Sequence, residues 1–71
     1  MNKINVDSSI IKSVGYDTDD YILEIEFVKG SIYQYENVFP EVICLMLFAD
    51  SIGSYFMRNI SKNYKYTKVS D

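Results

Sequence analysis

The fold of this chain is decided by residues 21–35, which read YILEIEFVKGSIYQY. In the first half of this stretch, every second side chain from Tyr21 onward is apolar or aromatic, and Glu24 and Glu26 lie between them. Such alternation predicts a strand with one buried face and one polar face. Gly30 then marks a turn, after which the alternation resumes. The stretch therefore predicts a β-hairpin.

The length of the loop at Gly30 decides where Tyr33 and Tyr35 point. A two-residue loop would place both tyrosines on the glutamate face of the hairpin. A three-residue loop, with Gly30 left-handed in a bulge, places Tyr33 opposite Ile25. It likewise places Tyr35 opposite Leu23. We predict the three-residue loop, because it sets two large rings over aliphatic neighbours and leaves the crowded acidic face to solvent.

An earlier strand is predicted over residues 10–16, and it joins the hairpin through the polar turn of residues 17–20. Aspartate and threonine favour such turns because their side chains hydrogen-bond nearby backbone groups. A four-residue turn would set Tyr16 opposite Tyr21. This register keeps the apolar residues of all three strands on one face of the sheet.

A first helix is predicted to begin at Phe39-Pro40-Glu41, since proline is favoured at the first helical position. Four side chains at helical spacing form its expected core stripe: Val42, Leu45, Met46 and Ala49. The other side of this helix is also apolar and carries no charge. We predict that Cys44, which lies among these aliphatic residues, is buried and inert.

A second helix is predicted to follow, with Asp50 or Ser51 as its N-cap. Its core stripe consists of apolar and aromatic residues at helical spacing: Ile52, Tyr55, Phe56 and Ile60. Gly53 lies in the first turn of this helix. Its missing side chain would allow the backbone of another element to approach closely.

These elements predict an α+β fold, a small antiparallel β-meander of three strands with two helices packed on one face. The alternating segment of residues 64–69 provides a fourth strand at the C-terminal edge. With 71 residues, the chain is expected to form a single domain over residues 1–71.

The composition argues against several classes of function. The chain has no histidine, which excludes His-ligated metal sites and histidine acid–base catalysis, and no cofactor motif is present. We expect a protein that is not an enzyme, binds no metal and uses no cofactor. Its longest apolar run, residues 42–49, is far shorter than the ~20 residues that span a bilayer. A single cysteine and an N-terminus without an apolar signal run predict a cytoplasmic protein with no membrane association.

The positive charge of this acidic chain collects near its C-terminus. Residues 1–53 hold three lysines against nine acids, whereas residues 54–71 hold four cations against one aspartate. Cations contact phosphates and tyrosine rings stack on bases, so this segment is the candidate for nucleic-acid binding. The candidate residues are Arg58, Lys62, Tyr64, Lys65, Tyr66 and Lys68. In the alternative interpretation, the tyrosines pack on the sheet and the cations are only solvated.

The first helix suggests a second candidate surface. A surface helix normally carries polar residues opposite its core stripe, and this one does not. The residues expected to meet a partner are Ile43, Leu47 and Phe48. They predict a homodimer or a complex with another protein, because so small a chain has little material to cover both faces of the helix.

The whole pattern resembles the KTSC domain, a short module found at the C-terminus of some lysyl-tRNA synthetases and as free-standing bacterial and phage proteins. The resemblance extends from Ser8 to Val69 and implies RNA or tRNA as the partner. The first helix is more apolar than is usual in the family, which favours self-association. The matching residues are 11–17, Leu23, Phe27, Gly30, the YxY element 33–35, Val38, Pro40, Ser51, 53–56, Ile60, Tyr64 and Tyr66.

Overall fold

A computed structural model of the protein describes residues 2–70. Five strands and two helices form in this part of the chain. Their order is β1 (Lys3–Asn5), β2 (Ile11–Asp17), β3 (Ile22–Phe27), β4 (Ile32–Tyr35), α1 (Pro40–Leu47), α2 (Ile52–Asn59) and β5 (Tyr66–Ser70).

The strands form one antiparallel sheet in the order β1-β2-β3-β4-β5. The chain leaves the sheet after β4, forms both helices, and returns as the edge strand β5. The predicted α+β fold and the C-terminal edge strand are confirmed. The predicted strand count is too low by β1, because three residues are too few to show an alternating pattern.

The register of the β3–β4 hairpin is the predicted one. Ile25 pairs with Tyr33, and Leu23 pairs with Tyr35. The three-residue loop closes with Gly30 at a φ of 110°, a conformation that favours glycine. Its backbone N–H donates to the carbonyl of Phe27 at 2.9 Å.

The β2–β3 hairpin differs from the prediction by two residues. Tyr16 pairs with Leu23 instead of Tyr21, because Asp17 extends β2 and pairs with Ile22. The Asp17 carboxylate accepts hydrogen bonds from the backbone N–H groups of residues 19 and 20, and Tyr21 takes a φ of 58°. A two-residue shift leaves Val14 and Tyr16 on their expected face, so the alternation alone does not distinguish the two registers. A bulge between Ile11 and Ser13 turns Ile11 into the core as well.

Helix α1 begins at Pro40 as predicted, but its core stripe is rotated. Ile43 and Met46 are the buried residues of this helix, whereas Leu45 is exposed. Cys44 is exposed as well, so the prediction of a buried thiol was wrong. A helix that is apolar on every side has no polar face to fix its orientation, and tertiary packing decides it instead.

Helix α2 follows its prediction closely. The Ser51 side chain is the N-cap and accepts a hydrogen bond from the Ser54 backbone N–H at 3.2 Å. Phe56 and Ile60 are buried, and Tyr55 packs against the core beside them. Both helices cover the same face of the sheet. The core between them consists of Ile11, Val14, Leu23, Ile25, Tyr35, Val38, Ile43, Met46, Phe56 and Ile60.

Candidate nucleic-acid interface

An open groove of about 740 Å³ lies where the β3–β4 hairpin and β5 meet the second half of α2. We call it the aromatic groove, since four rings contribute to its wall. It has the size of a typical ligand-binding cleft. The described residues that line it are Ser9, Ile10, Phe27, Val28, Lys29, Ser31, Tyr33, Tyr35, Met57, Ser61 and Tyr66.

The tyrosines of the groove are brought together by strand pairing. Tyr35 of β4 is the register partner of Tyr66 of β5, so their side chains leave the sheet on the same face. The ring centroids of Tyr66 lie 5.6 Å from Tyr35 and 5.5 Å from Tyr33. Tyr66 is 53% exposed, and its ring therefore offers contact area to a ligand while it rests on two others.

The floor of the groove is closely packed. Phe56 of α2 packs edge-on against Tyr35, with ring centroids 5.3 Å apart, and it also contacts Phe27. Tyr35 is only 3% exposed, and this burial, together with the neighbouring Tyr33 and Tyr66 hydroxyls, raises the pKa of Tyr35 to about 12. Its hydroxyl therefore stays protonated well above neutral pH.

Acidic groups are kept on the opposite face of the sheet. Glu24 is buried there. Its carboxylate forms an ion pair with Lys3 at 2.8 Å and accepts a hydrogen bond from the Gln34 side chain at 2.8 Å. Lys3 and Gln34 hold the pKa of Glu24 below its usual value. Glu26 accepts a hydrogen bond from Ser13. The acidic face is thus internally bonded, and the expectation that it is simply left to solvent was wrong.

Charge in the groove is positive. Among the described residues that line it, Lys29 is charged and no carboxylate is present. Lys68 of β5 is the register partner of Tyr33, so the strand geometry directs its side chain to the groove face as well. The described lining of the groove therefore combines aromatic rings, hydroxyls and the cation Lys29, with Lys68 on the same face of β5.

The predicted nucleic-acid residues are divided between several surfaces. Tyr66 and Lys68 lie on the groove face of β5. Lys65 directly precedes β5, and continued alternation turns it towards the opposite face, as for Thr67. Tyr64 is partly buried and packs against the core, which supports the alternative interpretation for this one residue.

The two remaining cations lie on or beyond α2. Lys62 is exposed in the turn that follows the helix. Arg58 lines a separate polar hollow of about 410 Å³, together with Asp7, Asp50 and Ser51 at the start of α2. The fold therefore does not gather the six predicted residues in one site.

Several groove residues were missed by sequence reasoning. Lys29, Met57 and Ser61 were assigned no role, because they come together only when α2 docks beside the hairpin loop. The tyrosine alternation was the one available signal. Combined with the correct β4–β5 pairing, it would have placed Tyr33 beside Tyr66.

The comparison with known families agrees with the fold. The family model of the KTSC domain matches residues 7–64. The chain belongs to the KTSC domain family. Its structure is similar to the crystal structure of a KTSC domain protein from Yersinia pestis, with a TM-score of 0.90, 34% sequence identity and 97% of each chain covered. The resemblance inferred from the motifs is confirmed.

Two further relatives show this KTSC domain in different settings. An uncharacterized protein of Stutzerimonas stutzeri is 40% identical over 70 residues, which cover 97% of this chain and 99% of that protein. A lysine–tRNA ligase of Nostoc punctiforme is 34% identical over 64 residues, which cover 90% of this chain but only 11% of that enzyme. The same domain thus makes up almost all of one relative and a small part of another.

The predicted partner surface of the KTSC domain is also altered by the rotation of α1. Ile43 belongs to the core, and Leu47 is half-buried against it. Phe48, at the end of α1, is 89% exposed. Leu45 is exposed beside it and takes the place expected for Ile43. The apolar surface of α1 therefore consists mainly of Leu45 and Phe48.

Within residues 2–70, no three His, Cys, Asp or Glu side chains come together in a group able to hold a metal ion. In the same part of the chain, neither helix has the length and apolar character needed to cross a membrane.

Proposed function

We propose that this KTSC domain is a non-catalytic accessory domain that binds RNA through residues 58–68. The observation that carries the proposal is the division of charge and aromatic surface between the faces of the sheet. Tyr66 is half-exposed beside Lys68 on one face, while the carboxylates of Glu24 and Glu26 are bonded on the other. An anionic strand would be attracted to the first face and to the cations that precede the edge strand β5, and repelled from the carboxylates of β3 at the centre of the second face.

The cations of this segment support the proposal. Arg58, Lys62 and Lys65 are all exposed, and neither ion pair found within residues 2–70 includes them. Each is therefore free to contact a phosphate. Phosphate contacts provide much of the affinity of RNA-binding proteins and make it depend on salt.

The relatives give the proposal its substrate class. The name of the Nostoc punctiforme relative states that it joins lysine to tRNA, and a domain like this one forms part of that protein. A module attached to such an enzyme has tRNA within reach. We therefore extend the proposal to tRNA as well as to other RNA with unpaired regions.

Replacing Lys62 and Lys65 together by glutamate is expected to abolish RNA binding at low salt. Each cation that contacts a phosphate contributes about 0.7 to the slope of log affinity against log salt for single strands. The double variant removes two of these contacts and adds repulsion. The measurement is a titration of labelled single-stranded RNA and of tRNA at several salt concentrations, with NMR shifts mapped onto the chain.

The matched control replaces the same two lysines by arginine, which preserves both charges. This variant should bind RNA with a salt slope close to that of the unmodified protein, and shifts should be confined to residues 55–69. RNA that bound equally well to the glutamate variant would show that this segment is not the interface. An absence of shifts with every RNA at low salt would contradict the proposed function itself.

A second candidate function is self-association through α1. Phe48 is almost fully exposed, Leu45 is exposed beside it, and α1 carries no charge between Glu41 and Asp50. A ring as exposed as that of Phe48 gains most from burial against another apolar surface. We propose a second copy of the chain as the partner, since a two-fold axis allows the same patch to serve both subunits.

Replacing Phe48 by glutamate is expected to convert the dimer to a monomer, because the charge would be buried in the interface. Sedimentation at micromolar protein concentrations measures this. Val28→Glu is the matched control, since Val28 is also exposed but lies in the β3–β4 loop. If the unmodified protein sedimented as a monomer, and the Phe48→Glu variant sedimented in the same way, α1 would have no role in self-association.

A further inference from the structure

We propose that the aromatic groove holds one unpaired base of an RNA strand, with Tyr66 as the ring on which the base stacks. The inference rests on the proposed RNA binding and assigns it a specificity, for single-stranded over duplex RNA. It differs from the sequence prediction in its site. The prediction used the basic segment alone, whereas the groove also includes the β3–β4 hairpin and α2.

The rings of the groove are arranged to receive a flat ligand. Tyr33 and Tyr35 are stacked with an interplanar angle of 21°, and the ring of Tyr66 leans on both at tilts of 46° and 40°. Tyr35 in turn packs against Phe56 of α2, so the rings of this wall already contact one another without a ligand. A base that stacks on Tyr66 would therefore not have to pay for ordering the ring.

The polar groups of the groove match the edge of a base. Ser9, Ser31 and Ser61 line it beside the tyrosine rings, and a hydroxyl both donates and accepts hydrogen bonds. A nucleobase presents donors and acceptors side by side along its edge. The groove also contains enough apolar surface to cover the ring of the base.

The charge of the groove favours a nucleic acid over a peptide. Aromatic grooves of this kind also bind proline-rich peptides, which are neutral or basic. Here the described lining includes Lys29 and no carboxylate, and Lys68 lies on the same face. A basic peptide would meet no carboxylate in this lining, whereas the phosphates on either side of a bound base could contact lysine side chains.

A base can stack on the Tyr66 ring only if it is unpaired. In a duplex, both faces of each base are covered by its neighbours, and RNA-binding proteins that stack rings on bases therefore act on loops and single strands. Duplex RNA could still contact exposed cations such as Arg58, Lys62 and Lys65. It would be held by its backbone, weakly and without use of the groove.

The test compares three ligands of equal length: a labelled single-stranded RNA, its duplex, and an abasic strand with the same backbone. The single strand should bind most tightly. Tyr66→Ala should weaken its binding about tenfold, since each stacked base contributes substantially to affinity. Tyr66→Phe keeps the ring and should retain the affinity, whereas Tyr66→Ile keeps the bulk without a flat ring and should behave like alanine. Thermal melts confirm that each variant is folded.

The outcomes separate this inference from the proposed function. Loss of single-strand binding in Tyr66→Ala, with abasic binding unchanged, supports the base-stacking groove. Equal affinity for all three ligands, together with a neutral Tyr66→Ala and a defective Lys62→Glu, Lys65→Glu variant, overturns the groove while RNA binding stands. Failure of every RNA to bind overturns both. Binding of a proline-rich peptide, seen as NMR shifts at Tyr33 and Tyr66, would also overturn the assignment of the groove to a base.

Discussion

Replacing Phe56 by alanine is expected to cause a large loss of stability in this domain. Phe56 is 1% exposed and contacts the rings of Phe27 and Tyr35 from above the sheet. Truncation of a buried phenylalanine to alanine typically costs about 3–5 kcal/mol, as lost burial and an unfilled cavity. A domain of 71 residues has a total free energy of unfolding of roughly 4–11 kcal/mol. The variant is therefore expected to lose at least about a quarter of this stability, and nearly all of it if the total lies at the lower end of the range.

Urea unfolding followed by circular dichroism measures this loss. Phe39→Ala is the matched control, because it is the same chemical change at a phenylalanine that is 51% exposed. Surface substitutions of this kind usually change the free energy of unfolding by no more than about 0.5 kcal/mol. If the two variants lost equal stability, Phe56 would not hold the position between α2 and the sheet that the structure gives it.

Strand features were predictable from the sequence because they depend on local periodicity. The alternation of Glu24 and Glu26 with apolar neighbours decides which side chains share a face, and a three-residue loop at Gly30 follows from it. The turn before β3 shows the limit of this reasoning. Pairing Tyr16 with Tyr21 or with Leu23 preserves the same faces, and only the hydrogen bonds of Asp17 with the turn select the second register.

Helix orientation and the groove were not predictable in this way. Helix α1 is apolar on all sides, so the burial of Ile43 and the exposure of Leu45 depend on how the helix packs against the rest of the domain. The groove depends on the same kind of contact, since it brings Lys29 and Met57 together from separate elements. The charge of the C-terminal segment was visible in the sequence, but the division of that charge between two faces required the β4–β5 register.

Replacing Gly53 by leucine is expected to destabilise the domain by about 2 kcal/mol, in the range typical of overpacked sites. A Cβ atom at this position would lie 2.8 Å from Cγ1 of Ile10 and 3.1 Å from Oγ of Ser8. The atoms closest to Gly53 thus belong to two side chains of the β1–β2 connection, whereas the sequence had predicted a close backbone. The Ser8 hydroxyl accepts hydrogen bonds from the backbone N–H groups of Ile10 and Ile11, so moving it would also disturb the start of β2.

The sign of the Gly53→Leu effect separates packing from helix propensity. Leucine is favoured over glycine inside a helix by up to about 1 kcal/mol, so propensity alone would raise the melting temperature. A net loss of about 2 kcal/mol would lower it by roughly 10 °C in a domain of this size. Ser54→Leu is the matched control, because its side chain is exposed at the next position of the same helical turn. If calorimetry showed both leucine variants melting at or above the temperature of the unmodified protein, Ile10 and Ser8 would have to move aside without cost, and the close approach would have no structural consequence.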